Sequence, residues 1–173
     1  GLFVFMTEWG VWTTALCYMF AGAMYLKPFA ENEFVKKAYI VLFAIAFSFE
    51  VMITILFWVV LGKYAFDPKM VPTARSKLSM FMDHAVPMAC LIADFCCNRI
   101  PVHKGDWKKV ATFGSFYTIV AFLFNHFAGA GIYPFMTFDS LFTWFAPLFS
   151  FIGFPLLTFF ALEKINQWKL KDN

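Results

Sequence analysis

The residues able to do chemistry in this chain are few, and they sit inside apolar stretches: Thr7, Glu50, the adjacent pair Asp83–His84 and the adjacent pair Asn125–His126. An ionisable group in a hydrocarbon-length segment is costly, so each must face a bundle interior and find a partner. Together Glu50, His84 and His126 can form a charged pair, a proton relay, a metal site or a two-histidine haem site. They can equally form an ordinary hydrogen-bonded cluster between helices. Two histidines on separate segments carry little metal specificity, so neither a metal nor haem is expected. Pro87 lies one turn beyond Asp83 and lacks the N–H that would bond the Asp83 carbonyl, which predicts a bend beside the pair.

The elements that must position these residues are membrane helices. The 173 residues are 61% hydrophobic and 22% aromatic, with a mean hydropathy of +0.68, well above the roughly 45–50% apolar content of soluble domains. The expectation is an all-α, five-helix multi-pass transmembrane bundle forming a single domain over residues 1–173, with helices at about 7–26, 38–61, 78–97, 110–130 and 141–162. Lys27-Pro28 ends the first helix, and the turn-forming run Gly129 to Pro134 ends the fourth. The net charge of +3 is small and its basic residues lie between apolar segments, so they set topology and no nucleic acid is expected. Cys17, Cys90, Cys96 and Cys97 show no metal-type spacing and read as reduced, buried thiols. The 26 phenylalanines read as packing and lipid-facing bulk.

Lys27, Lys36, Lys37, Arg99, Lys104, Lys108, Lys109, Lys164, Lys169 and Lys171 fall at one end of such a bundle, and Lys63, Lys69, Arg75 and Lys77 at the other. The positive-inside rule places the C-terminus with the first set, on the cytoplasmic or matrix-like side of the endoplasmic reticulum or mitochondrial inner membrane. At about 1.5 Å per residue, Glu50 lies ~20 Å from the inner face, and His84 and His126 each lie ~10 Å from the outer one. All three therefore share one layer, with Asp83 and Asn125 joining it by adjacency. Thr7 lies nearer the outer surface, and Asp94 lies beside Arg99 at the inner one.

Phe5-Met6-Thr7, Ala46-Phe47 with Val51 and Phe57-Trp58, and the loop Tyr64-Ala65-Phe66-Asp67-Pro68-Lys69-Met70 follow one another at a distinctive spacing. His84-Ala85, Gly129 with Ile132-Tyr133-Pro134-Phe135, and Leu162-Glu163-Lys164-Ile165-Asn166 with Trp168-Lys169 continue it. Taken in order, these resemble the androgen-induced protein and androgen-dependent TFPI-regulating protein family, multi-pass membrane threonine hydrolases of fatty-acid esters of hydroxy fatty acids. The resemblance implies a threonine nucleophile at Thr7 and a histidine base. The family pattern has asparagine-histidine, two residues, then the catalytic histidine, whereas this chain reads Asp83-His84-Ala85-Val86-Pro87. Proline exchanges no proton, and His84 stands one turn, about 4.5 Å, from the expected base position.

The leading expectation is therefore a catalytically degenerate scaffold acting as a lipid-binding or structural accessory subunit. It carries a polar layer of Glu50, Asp83, Asn125 and His126, and its partners are bound lipids and other membrane subunits. The alternative is an active fatty-acid-ester hydrolase using Thr7 and His84.

Overall fold

The computed structural model describes residues 5–62, 73–129, 132–133 and 138–171. The loop motif 64–70 and residues 134–135 lie outside the described residues. Among those described, the chain is all-helical with no strand. The helices are α1 (Met6–Ala23), the single-turn α2 (Lys27–Ala30), α3 (Glu33–Leu56), α4 (Ala74–Cys97), α5 (Trp107–Ala128), α6 (Leu141–Leu148) and α7 (Phe154–Lys171). Two wider π-helical turns, Phe57–Leu61 and Phe149–Gly153, prolong α3 and join α6 to α7.

Four helical runs are long and apolar enough to cross a membrane: Glu33–Val60, Ala74–Cys97, Lys104–Ala128 and Thr143–Lys171. The first expected segment, now α1, is not in that set. Its 18 residues suffice in length, but Thr7, Glu8, Thr13 and Thr14 dilute its apolar character.

The boundaries follow from caps. Asn32 accepts from the Phe34 and Val35 amides at 2.9 and 3.3 Å, so α3 begins five residues before the expected start. Thr73 does the same for Ser76 at the head of α4, and Ser140 forms a capping box with Thr143 at the head of α6. Gly129, at φ 67°, closes α5.

Helix α3 is the spine. More than half of its span is buried (56%) against 11% for α4, so the other helices surround α3 while α4 leaves most of its surface outward. Phe43, Phe49 and Met52 on α3 pack with Tyr117 of α5, Phe151 and Phe159 in a continuous core. Pro155 has no N–H to return to the Phe151 carbonyl, and that carbonyl lies against Gly114 of α5, where a Cβ would collide with it. A residue without a side chain is required there.

The polar C-terminal tail is held within the chain. Helix α7 runs on to Lys171, and Lys169 Nζ donates to the carbonyls of Phe95, of Cys96 at 3.2 Å and of Asn98 at 2.5 Å, capping the last turn of α4. Asp94, expected beside Arg99, instead accepts from the Tyr39 hydroxyl at 2.7 Å and from Asn98. The phenol of Tyr39 lies within the bundle and reaches the carboxylate directly, whereas Arg99 lies beyond the end of α4. All four cysteines are free, but only Cys17 is buried; Cys90, Cys96 and Cys97 are exposed because α4 turns little of its surface inward.

Candidate functional site

His84 is one of three buried residues on α4, with Leu91 and Phe95 seven and eleven residues further on, and so belongs to the stripe that faces the bundle. Its imidazole is fixed on every side. Nδ1 lies 2.7 Å from the Met80 carbonyl, and the ring stacks on Phe57 at 3.6 Å between centroids and 16° between planes. Thr54 of α3 donates to the His84 carbonyl at 3.1 Å, tying the two helices together at this level. Nε2 lies 3.1 Å from Thr7 Oγ1 on α1.

These contacts define the proton positions. A carbonyl only accepts, so Nδ1 carries the hydrogen; in the neutral imidazole Nε2 is then a bare acceptor, and the Thr7 hydroxyl donates to it. This is the arrangement of a nucleophile and its base, with the Met80 carbonyl orienting the base as a carboxylate does elsewhere. His84 stands one turn before the position the resemblance gave the base, and it lies within hydrogen-bond distance of Thr7.

Thr7 is presented by the start of α1. No side chain caps that helix from Phe5; the Met6 amide, one of the donors every helix start leaves open, donates to the Tyr133 hydroxyl at 3.1 Å. Thr7, His84 and Tyr133 line a cavity of about 40 Å³ whose remaining wall is apolar, including Met52, Leu56, Phe57 and Phe151. Two of its edges come from the π-helical turns, through Phe57 and Phe151. That volume exceeds the ~10–15 Å³ needed for one water.

The rest of the expected polar layer is not part of this site. Glu50 is fully buried, but its Oε1 accepts from Thr14 at 3.5 Å and its Oε2 has no hydrogen-bond partner among the described residues. Asp83 is exposed and accepts from Ser79 at 3.2 Å. His126 is exposed, stacked on Phe122 at 6.2 Å, and Asn125 is half-buried. The reason is angular. Successive helical residues diverge by about 100°, so His84 turns inward while Asp83 turns out, and His126 falls off the Gly114, Tyr117, Thr118, Ala121 stripe that faces the core. No three His, Cys, Asp or Glu side chains converge among the described residues, and both nitrogens of His84 are already engaged.

Sequence reasoning missed the roles of Tyr133, Phe57 and the Met80 carbonyl. Met80 carried a signal: a carbonyl four residues before an inward histidine is within reach of its Nδ1 on any regular helix. Tyr133 carried none, since its contact spans 127 residues of chain.

Fold and site define a class: an all-helical chain with four membrane-length apolar helices, which fits an integral membrane protein, and a hydroxyl–imidazole pair in an apolar cavity. No family model, curated protein or solved structure matches the chain.

Proposed function

We propose that this chain is a membrane-embedded ester hydrolase in which Thr7 is the nucleophile and His84 the base, acting on an ester carried by an apolar acyl chain. The observation that carries the reading is the 3.1 Å contact between Thr7 Oγ1 and His84 Nε2. Thr7 Oγ1 attacks the ester carbonyl carbon, its proton passes to Nε2, and the carbonyl π pair moves onto oxygen. The tetrahedral adduct then expels the alcohol, which takes its proton from His84, and leaves an acyl-threonine. Water, deprotonated by the same Nε2, attacks the acyl-threonine and releases the fatty acid, and Thr7 recovers its hydrogen.

The apolar cavity wall suits an acyl group, and the family resemblance supplies fatty-acid esters of hydroxy fatty acids as the substrate class. The degenerate-scaffold alternative rests on Pro87 and on a base out of reach of Thr7; the 3.1 Å Thr7–His84 contact speaks against the second. On this reading α1, packed along α3, is a fifth span, and the C-terminus lies on the cytoplasmic or matrix-like side of an endoplasmic reticulum or mitochondrial inner membrane.

The test is hydrolysis of a long-chain fatty acyl ester by the purified full chain in lipid nanodiscs. Thr7→Ala and His84→Ala are each expected to lower turnover by roughly 10²–10⁴-fold, with an acyl-threonine trapped at Thr7 in the unsubstituted protein. Turnover that survives Thr7→Ala, or no turnover by protein that still retains bound lipid, returns the scaffold reading to first place.

A further inference from the structure

A base that takes the Thr7 proton becomes an imidazolium, and a cation in a water-excluded site needs something negative against it. In serine triads a carboxylate bonded to the imidazole meets that need. His84 has no such partner among the described residues. Nδ1 faces the Met80 carbonyl and Nε2 faces Thr7, and the ion pairs among those residues, Lys36–Glu33 and Lys109–Asp106, do not include it. Asp83, beside it on α4, is exposed and accepts from Ser79.

What lies on the imidazole is Phe57. The two rings are stacked face to face, 3.6 Å between centroids and 16° between planes, and both residues are buried. Thr54, one turn before Phe57, donates to the His84 carbonyl at 3.1 Å, so the main chain and the ring of His84 are both held by one face of α3 and its π-helical turn. Trp58 meets Phe57 edge-on at 5.2 Å between centroids and Phe81 of α4 at 6.0 Å, which braces the phenyl ring against α4. The face of a phenyl ring carries the negative part of its quadrupole, and its attraction for a cation grows where water is excluded.

Resting on the hydrolase reading above, we infer that Phe57 is a positioning residue for His84 whose π face stabilises the imidazolium formed when Thr7 attacks, in the role a carboxylate has in serine triads. The cation gains more from the stack than the neutral ring does, so the contact favours proton uptake from Thr7 besides holding the imidazole toward it. The neighbouring elements carry other titratable groups: Asp83 on α4, Glu8 on α1, Glu50 on α3 and Tyr133 on the cavity wall. A change confined to the Phe57 ring leaves all four in place.

The experiment uses the full chain in nanodiscs with a fluorogenic long-chain acyl ester, and places mono-, di- and trifluorinated phenylalanine in turn at position 57. Thr7 is labelled with a fluorophosphonate and mapped by mass spectrometry. Fluorine draws electron density from the ring face and changes the ring's size little. With less support for the cation His84 is a weaker base, so the acidic limb of the kcat/KM–pH profile is expected to move stepwise to lower pH, by roughly 0.5–1.5 pH units across the series, with kcat falling by roughly two- to tenfold. Phe57→Leu, which removes the ring, is expected at or beyond the trifluorinated end of that trend. A merely structural phenyl ring leaves both limb and kcat in place through the fluorinated series. That series, nearly constant in size, keeps the inference testable should Phe57→Leu fail to fold. Labelled Thr7 with an unmoved limb overturns the role of Phe57 alone. Unlabelled Thr7, with turnover absent or insensitive to Thr7→Ala, overturns the hydrolase reading, and Phe57 with it.

Discussion

Glu50 occupies the notch that Gly10 leaves on α1: a Cβ there would lie 2.5 Å from Glu50 Oε1 and 2.6 Å from Ile53 Cδ1. Helices α1 and α3 therefore touch closely one turn below Thr7, and this approach sets how near Thr7 comes to α4. Gly10→Ala is expected to destabilise the protein by about 1–3 kcal/mol through overpacking, and to reduce hydrolysis by pushing Thr7 away from His84. Gly22→Ala is the control, because an added Cβ there meets nothing within 4 Å. Thermal unfolding in detergent, read beside turnover, checks this; equal losses at the two positions would reject the notch.

Pro87 stands where the family resemblance places the base; on the proposed reading His84, which contacts Thr7 from one turn earlier, takes that role. Pro87→His is accordingly expected to leave turnover within a few-fold of the unsubstituted protein, and the double variant His84→Ala, Pro87→His to remain inactive. The kinetics of the double variant decide the matter. Recovery of activity in it would show that the site accepts a base from position 87 and would unseat His84.

Two contacts bring the basic segments to one end of the bundle: Tyr39 near the start of α3 bonds Asp94 near the end of α4, and Lys169 of α7 bonds the Asn98 carbonyl. The head of α4 lies at the opposite end with the Thr7 site. In a cysteine-free background, Arg75→Cys and Lys104→Cys, both at exposed positions, are expected to react with an impermeant thiol reagent from opposite sides of sealed vesicles. Reaction of both from the same side would sink the topology.

Length, hydropathy and the spacing of Lys and Arg were enough to read the all-helical class, the order of the long helices and which loops share an end. Those properties are sums over many residues and survive local error. Caps moved the boundaries, since Asn32 and Thr73 extend α3 and α4 toward their N-termini, and the polar residues of α1 kept it out of the set of membrane-length apolar helices. The depth count used only the nearly constant helical rise, and it suggested one layer containing Glu50, His84 and His126.

Azimuth was not legible from depth. Asp83 and His84 are adjacent in sequence, yet Asp83 is exposed and His84 buried, and His126, expected in the same layer, is exposed as well. The Thr7–His84 contact joins residues 77 apart, and it depends on how closely α1 approaches α3 at Gly10, on the Thr54 bond and on the Phe57 stack. A helix carries its own hydrogen-bonding pattern, so its existence and length can be read from its own residues. The rotation and separation of neighbouring helices are decided by which side chains interlock, and that is settled only when all of them pack at once.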